Sequence, residues 1–389
     1  MVIPRRSGAR RARRASPPDG TASRPVAVFL PRLGFGGAER VCVNLLEGLV
    51  ARGEEVHLLL ARCEGELLCE VPDDVVLVDL HADRPVTAVP SLARYLRRVR
   101  PKALIASMTH TGLAAVWARA LAVVRVPVIV RQETTWSRMK AALRGRHRWL
   151  MPLAVRLFLR YATIVAVSEG VARDLSEELG IDRKKIAVIY NPIVGERLRH
   201  LVEMSPPHRW LSRKSGPVVL GVGRLVYAKG FDLLIRAFAR LPADSGARLI
   251  IYGEGPERGG LERLVADLGL EDRCDLAGYE RCPAAAMASA DLLVLSSRWE
   301  GMGVVLVEAL VAKVPIVSFD CPSGPREVLR DGRYGRLVPP EEPVLLARAI
   351  QAALSDPEPI PADVEAWLDR FSVSAAVDAH LELVNAGGV

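Results

Sequence analysis

The chain has 389 residues, half of them apolar and a quarter charged; it is too long for one ordinary domain, suits two, and is not a disordered chain. Its six cysteines, Cys42, Cys63, Cys69, Cys274, Cys282 and Cys321, form no Cys-x-x-Cys pair, which excludes the usual zinc and dithiol motifs and leaves small buried side chains in a reducing cytoplasm. The net charge of +8 is uneven: residues 1–24 carry +6, residues 25–213 carry +9 and residues 214–389 carry −7, so front and rear are expected to meet different partners.

Residues 1–24 hold seven arginines with no apolar run behind them; they read as a disordered basic tail rather than a secretion signal. No later stretch of membrane-spanning length escapes a charge or a break, Arg119 and Arg125 interrupting the best candidate, and a spanning helix is not expected. From residue 25, the runs PVAVFL, EVHLLLA, VVLVDL, ALIAS, PVIVRQ and IVAVS read as buried strands. Helical patterns lie between them, such as residues 39–52 with Val41, Leu45, Leu46 and Leu49 on one face. That alternation predicts a parallel sheet covered by helices. After Asn191-Pro192 comes a polar segment with Pro206-Pro207, a linker or lid over residues 196–216. The alternation restarts with strands at PVVLGVG, ARLIIYG, DLLVLS and VPIVSF, helices near residues 232–241 and 261–268, and one last helix over residues 364–383. The expected class is α/β: a doubly wound, Rossmann-like domain at 25–195, a second at 217–360, a cleft between them, and a C-terminal helix at 361–389 packing back toward the first.

Open parallel sheets bind ligands beyond the carboxyl ends of their strands, and the unusual residues fall there. The first such loop is LGFGGAER, where Gly34, Gly36 and Gly37 permit close backbone approach ahead of a helix N-terminus. A dinucleotide fingerprint would need glycine where Glu39 stands; a bare tight turn is the alternative. In GRLVYAKG, after the first rear strand, Gly223 precedes Arg224 and Lys229, two cations suited to a diphosphate unless they are a solvated pair. In YGEGPE, Gly253, Glu254, Gly255 and Pro256 make a turn that either contacts a ligand or only turns the chain. In SSRWEGMGVVLVEAL, Glu300 and Glu308 flank a loop carrying Gly301 and Gly303. A carboxylate there can hold paired sugar hydroxyls, and loop amides at a helix start can hold phosphate.

Taken in order, GGAER, GRLVYAKG, YGEGPE, EGMGVVLVEAL and FDCPSGPREV resemble the motifs of glycosyltransferase family 4, retaining enzymes of the GT-B fold, over nearly the whole chain after Arg24. The resemblance implies that Arg224 and Lys229 bind the donor diphosphate, that Glu308 holds the ribose, that Glu300 contacts the donor sugar, and that Gly36 and Gly37 lie beside the phosphates or the acceptor. His110, in SMTHTG, matches a histidine that many relatives place against the donor sugar; packing or capping is its alternative role. The expected catalytic set is therefore Arg224, Lys229, Glu300 and His110. The expected donor-binding set is Gly36, Gly37, Gly223, Gly253, Glu254, Gly301, Met302, Gly303 and Glu308. Met302 departs from the aromatic or proline-containing stretch common among relatives. CPSGPRE, residues 321–327, resembles bacterial enzymes that build capsular, lipid-linked or N-glycan precursor chains from UDP-hexoses or UDP-N-acetylhexosamines.

No D-x-D motif stands at a strand end, so a donor used without metal or other cofactor is expected, Arg224 and Lys229 neutralising the leaving diphosphate. Residues 137–161 interleave Arg138, Lys140, Arg144, Arg146, Arg148, Arg156 and Arg160 with Trp149, Leu150, Leu153, Leu157 and Phe158, and Pro152 is expected to break them into two pieces. Such a segment suits a bilayer surface, its alternative being simple packing on the front sheet. The partners expected are a nucleotide sugar, a lipid-linked or glycan acceptor and the inner leaflet of the plasma membrane, with no nucleic acid, and the location is cytoplasmic and peripheral. Two other classes compete: a GT-B phosphorylase or sugar-nucleotide epimerase, and a basic nucleic-acid-binding protein. The last accounts for the arginine-rich tail but not for the ordered rear motifs.

Overall fold

The computed structural model describes residues 24–142, 147–281 and 283–387. Among them the strands β1 (Val26–Leu30), β2 (Val56–Leu60), β3 (Val76–Asp79), β4 (Ala103–Ser107), β5 (Val128–Gln132), β6 (Thr163–Ala166) and β7 (Ile186–Val188) form one sheet in the order β3-β2-β1-β4-β5-β6-β7. A second sheet holds β8 (Val218–Val222), β9 (Arg248–Tyr252), β10 (Cys274–Gly278), β11 (Leu292–Leu295), β12 (Ile316–Phe319) and β13 (Arg336–Val338), in the order β10-β9-β8-β11-β12-β13. Its neighbouring strands pair in parallel, and so do β1 with β2 and β4, β2 with β3, and β4 with β5. The central strands β1, β2, β4 and β5 are buried along their whole length, because helices cover both faces and leave no side for water.

In each sheet the chain walks outward, then jumps back across its first strand and walks the other way. The loops after β1 and β4, and after β8 and β11, therefore open at the two switch points where doubly wound sheets leave a crevice. Gly36, Gly37 and His110 follow the first pair of strands, and Arg224, Lys229 and Glu300 the second.

The ten strands expected from apolar runs are all present. β7, β10 and β13 were not foreseen: each is an edge strand of its sheet, exposed enough to tolerate Asp275 and Gly278 in β10 or Arg336 in β13. The single helix expected over residues 364–383 is instead broken into Val364–Leu368, a 3₁₀ turn Asp369–Phe371, and Val373–Asn385. Ser372 adopts extended backbone and its hydroxyl accepts the amide of Ala375, while the amides of Ile193 and Val194 take the freed carbonyl of Phe371. Residues 196–216 carry two short helices, Glu196–Val202 and Arg209–Ser212. Pro152 does not break its segment; it lies inside the helix His147–Leu159, where its missing amide forfeits one bond of the ladder. The other piece is the helix Trp136–Ala142.

Cys42, Cys274 and Cys321 are buried and Cys63 partly so, but Cys69 is exposed on the 3₁₀ turn Glu66–Glu70, contrary to the expectation for all six. Cys282, the basic tail through residue 23, and Arg144 and Arg146 lie outside the described residues. Among the described residues no helix is long and apolar enough to cross a membrane. The chain divides into two compact units: among described residues, 24–131, 154–164 and 381–387 in the first, and 132–142, 147–153 and 165–380 in the second.

Candidate active site

In the second unit the loop after β8 is clasped by the loop after β11. Gly230 ends the 3₁₀ turn Tyr227–Lys229 with φ +60°, and a β-carbon on it would stand 2.1 Å from the carbonyl oxygen of Ser296. Only glycine fits this left-handed, close-packed position. Ser296 Oγ donates to the carbonyl of Lys229 at 3.0 Å and the amide of Arg298 to that of Ala228 at 2.8 Å. The buried Arg298 side chain donates to both carboxylate oxygens of Asp232 (2.9 and 2.8 Å) and to the carbonyl of Tyr227 (2.8 Å), with its guanidinium 4.0 Å from the centre of the Tyr227 ring. A bidentate fork stacked on an aromatic ring fixes geometry more tightly than a single ion pair.

Inside this clasp Lys229 Nζ donates to Glu300 Oε1 at 2.5 Å, and Ser297 Oγ donates to the same oxygen at 2.6 Å. Glu300 is only 8% exposed. The two expected catalytic residues, 71 apart in sequence, are thus one ion pair at the sheet's switch point. Burial and the Glu300 carboxylate push the Cys321 thiol well above its usual range, Lys229 opposing, so Cys321 stays a neutral thiol rather than a nucleophile. Arg224 is exposed, with no side-chain bond to the described residues.

Several of the other rear glycines are close-packed against backbone. A β-carbon on Gly253 would lie 1.8 Å from the carbonyl oxygen of Gly223, and one on Gly255 would lie 2.3 Å from that of Leu225; the amide of Leu225 bonds the carbonyl of Glu254 at 2.9 Å. The YGEGPE turn is therefore shaped by the loop carrying Arg224, and the Glu254 carboxylate is held by Arg258 at 2.7 Å. Gly301 abuts the backbone of Glu133, with a β-carbon 1.9 Å from that carbonyl, and its own carbonyl accepts the Ser168 hydroxyl at 2.7 Å. Met302 is buried, its carbonyl against Gly324 of the CPSGPRE segment. Gly303 precedes the helix Val304–Val311, on which Glu308 is the fifth residue and partly buried.

Glu327, from CPSGPRE, reaches the N-terminus of the helix Glu169–Leu179. Its carboxylate accepts the amides of Glu169 (2.9 Å) and Gly170 (3.3 Å) and the hydroxyl of Tyr190 (2.7 Å), while Ser168 caps the same helix through the amide of Val171. A carboxylate at exposed helix amides is favourable on charge grounds. Sequence reading passed over Ser168, Ser297, Arg298 and the family-motif Glu327; a serine before an amphipathic helix was the one usable signal.

In the first unit Gly36 is the N-cap and Gly37 the first residue of the helix Gly37–Ala51, with nothing within 4 Å of a β-carbon on Gly37. Arg40 of GGAER is paired with Glu70. His110 is the second residue of the helix Thr109–Ala122 and is solvent-accessible, yet desolvation by surrounding protein lowers its imidazole below the usual range. The preceding Met108 has φ +78°, a costly conformation for a non-glycine residue, and its amide bonds the carbonyl of Arg131 at 2.9 Å.

Residues 35–197 match the family model Glycosyltransferase Family 4, and residues 207–365 match Glycosyl transferases group 1. The N-acetylgalactosamine-N,N'-diacetylbacillosaminyl-diphospho-undecaprenol 4-alpha-N-acetylgalactosaminyltransferase of Campylobacter jejuni is 28% identical over 343 residues, 85% of this chain and 90% of that one. The lipopolysaccharide core biosynthesis glycosyltransferase LpsE of Rhizobium meliloti is 29% identical over 361 residues, covering 90% and 96%. Among solved structures, Anabaena Alr3699/HepE in complex with UDP-glucose superposes with a TM-score of 0.79 at 21% identity, covering 93% of this chain and 99% of that one. The fold is GT-B, and the chain belongs to the group 1, family 4 glycosyltransferases.

Proposed function

We propose that this glycosyltransferase moves a hexose or N-acetylhexosamine from a UDP-sugar to a lipid-linked or polysaccharide acceptor in bacterial cell-surface glycan synthesis, with retention of anomeric configuration and without a metal ion. The observation that carries the donor side is the Lys229–Glu300 pair at the second sheet's switch point, its loop held by Arg298 and Ser296. As the bond between the anomeric carbon and the diphosphate oxygen breaks, charge gathers on the diphosphate, and Lys229 with Arg224 is the cation set that meets it. Glu300 holds the ammonium in place beforehand and, once Lys229 turns to phosphate, accepts a hydroxyl of the donor sugar. The acceptor hydroxyl attacks on the face the leaving group vacates and its proton passes to the diphosphate oxygen, so no covalent enzyme intermediate is required. Glu308, on the helix that follows the Glu300 loop, binds the ribose hydroxyls.

Support for the donor class comes from HepE, solved with UDP and with UDP-glucose. The acceptor class is supported by the Campylobacter relative, whose substrate is a diphospho-undecaprenol. An enzyme that acts on a polyprenyl diphosphate works at a membrane, so a peripheral place on the inner face of the plasma membrane follows. The test is transfer from a panel of nucleotide sugars to a polyprenyl-diphosphate sugar, with and without EDTA, the product's anomeric configuration read by NMR. Retained configuration, a UDP-sugar donor and indifference to EDTA are expected. Inversion, a donor other than UDP-linked, or activity abolished by EDTA each overturns the corresponding part.

A further inference from the structure

Two aromatic side chains on the loops of the Lys229–Glu300 pair lie outside the buried core. Tyr227, two residues before Lys229, is 59% exposed. Trp299, between the buried Arg298 and the buried Glu300, is half-buried. Their ring centres are 6.0 Å apart and their planes inclined at 55°, an open corner rather than a closed stack. Each ring is backed by an arginine. The Arg298 guanidinium lies 4.0 Å from the centre of the Tyr227 ring, and that of Arg138 lies 5.0 Å from the centre of the Trp299 ring. Arg298 is itself forked onto Asp232, so Tyr227 rests on a fixed support. With one face on Arg298 and most of its surface in water, Tyr227 keeps its other face open. Arg138, on the helix Trp136–Ala142, is exposed and makes no ion pair among the described residues. A guanidinium stacked through its face keeps its in-plane N–H donors free.

A rigid aromatic corner with hydrogen-bond donors at its margin suits a sugar ring. A pyranose carries C–H bonds on its flat face and hydroxyls around its edge. The C–H hydrogens are drawn to the negative face of an aromatic ring, and the hydroxyls to the donors beside it. A nucleobase would also stack on such rings, but the order of groups along the donor places it elsewhere. On the reading above, Glu300 meets the donor sugar and Glu308, eight residues on, meets the ribose, with the base beyond it. Trp299 adjoins Glu300, at the sugar end of the donor and not the base end. Retention of configuration brings the acceptor in on the diphosphate side of the reacting carbon, and the loop that carries Lys229 and Arg224 to the diphosphate is the one that carries Tyr227.

We propose that Tyr227 and Trp299, backed by Arg298 and Arg138, form the subsite on which the sugar ring of the acceptor stacks beside the reacting carbon. The inference rests on the transferase reading, and a binding measurement tests it separately from turnover. The full chain, as wild type, Tyr227→Ala, Tyr227→Phe and Trp299→Ala, is given a UDP-sugar donor and a farnesyl-diphosphate N-acetylhexosamine acceptor. Both alanine variants should raise the acceptor KM by about 10-fold or more, while UDP affinity in calorimetry stays at the wild-type value. Tyr227→Phe should match wild type, because the ring face and not the hydroxyl makes the contact. In saturation-transfer NMR with UDP present, the sugar protons of the acceptor should receive magnetisation from wild type and lose it in both alanine variants. Thermal melts matching wild type show that the variants fold. An acceptor KM unchanged in both alanine variants, UDP affinity falling in step with it, or a Tyr227→Phe defect as deep as that of Tyr227→Ala overturns the proposal. So does a wild type without the NMR contact. A wild type that transfers from no UDP-sugar yet shows that contact, lost in the alanine variants, sinks the donor reading and leaves the subsite standing.

Discussion

Lys229→Met separates the role that the structure gives this side chain from the one proposed for it. Its ammonium neutralises Glu300, and on the reading above it also meets the donor diphosphate. The partners are 25% and 9% exposed at the side chain, between an exposed pair worth under about 1 kcal/mol and a buried one whose breakage costs about 3–5 kcal/mol. With Ser297 as Glu300's remaining partner, the variant should lose about 2 kcal/mol of stability. Turnover should fall about 10²–10³-fold, the usual loss when one preorganised donor to a developing anion is removed. Lys229→Met/Glu300→Gln removes the stranded charge as well, so stability should return to within about 1 kcal/mol of wild type, while turnover stays low. Urea unfolding followed by tryptophan fluorescence reads the first quantity and transfer from the UDP-sugar the second. If the double variant regains turnover together with stability, Lys229 acts only on Glu300 and the diphosphate role is refuted.

Glu327→Ala removes the acceptor for two helix amides and the Tyr190 hydroxyl; a loss of about 2–3 kcal/mol is expected in urea titrations, with Glu327→Gln intermediate. A loss below about 0.5 kcal/mol for the alanine variant would mean that water replaces the carboxylate. Ser168→Ala gives up a helix cap and the bond to the Gly301 carbonyl together, for about 1–2 kcal/mol; a melting temperature equal to wild type contradicts this. His57, buried on β2 with Tyr95 Oη 2.9 Å from Nδ1, has its imidazole lowered by burial, with Glu55 opposing. Below about pH 6.5 the unfolded chain takes up a proton that the folded chain refuses. Wild type should therefore lose more melting temperature than His57→Gln between neutral pH and about pH 5, and parallel profiles would count against it.

The fold class was legible in the sequence for a local reason, and so were the loops that carry the candidate donor residues. Buried parallel strands must be unbroken apolar runs, so ten announced themselves, and chemistry in such sheets has to follow strand ends. Edge strands β10 and β13 were silent because an exposed edge tolerates polar residues, and β7 because Ile-Ala-Val is too short to stand out as a run. The break at Ser372 was silent because its cause is the backbone of Ile193 and Val194, far away in sequence. Lys229 and Glu300 could each be named from their loops, but that they share one hydrogen bond, 71 residues apart, is a property of strand order. The glycines divided the other way. Gly253, Gly255 and Gly301 were named as ligand-facing positions; that each also packs too closely on neighbouring backbone to take a β-carbon is decided by the tertiary structure.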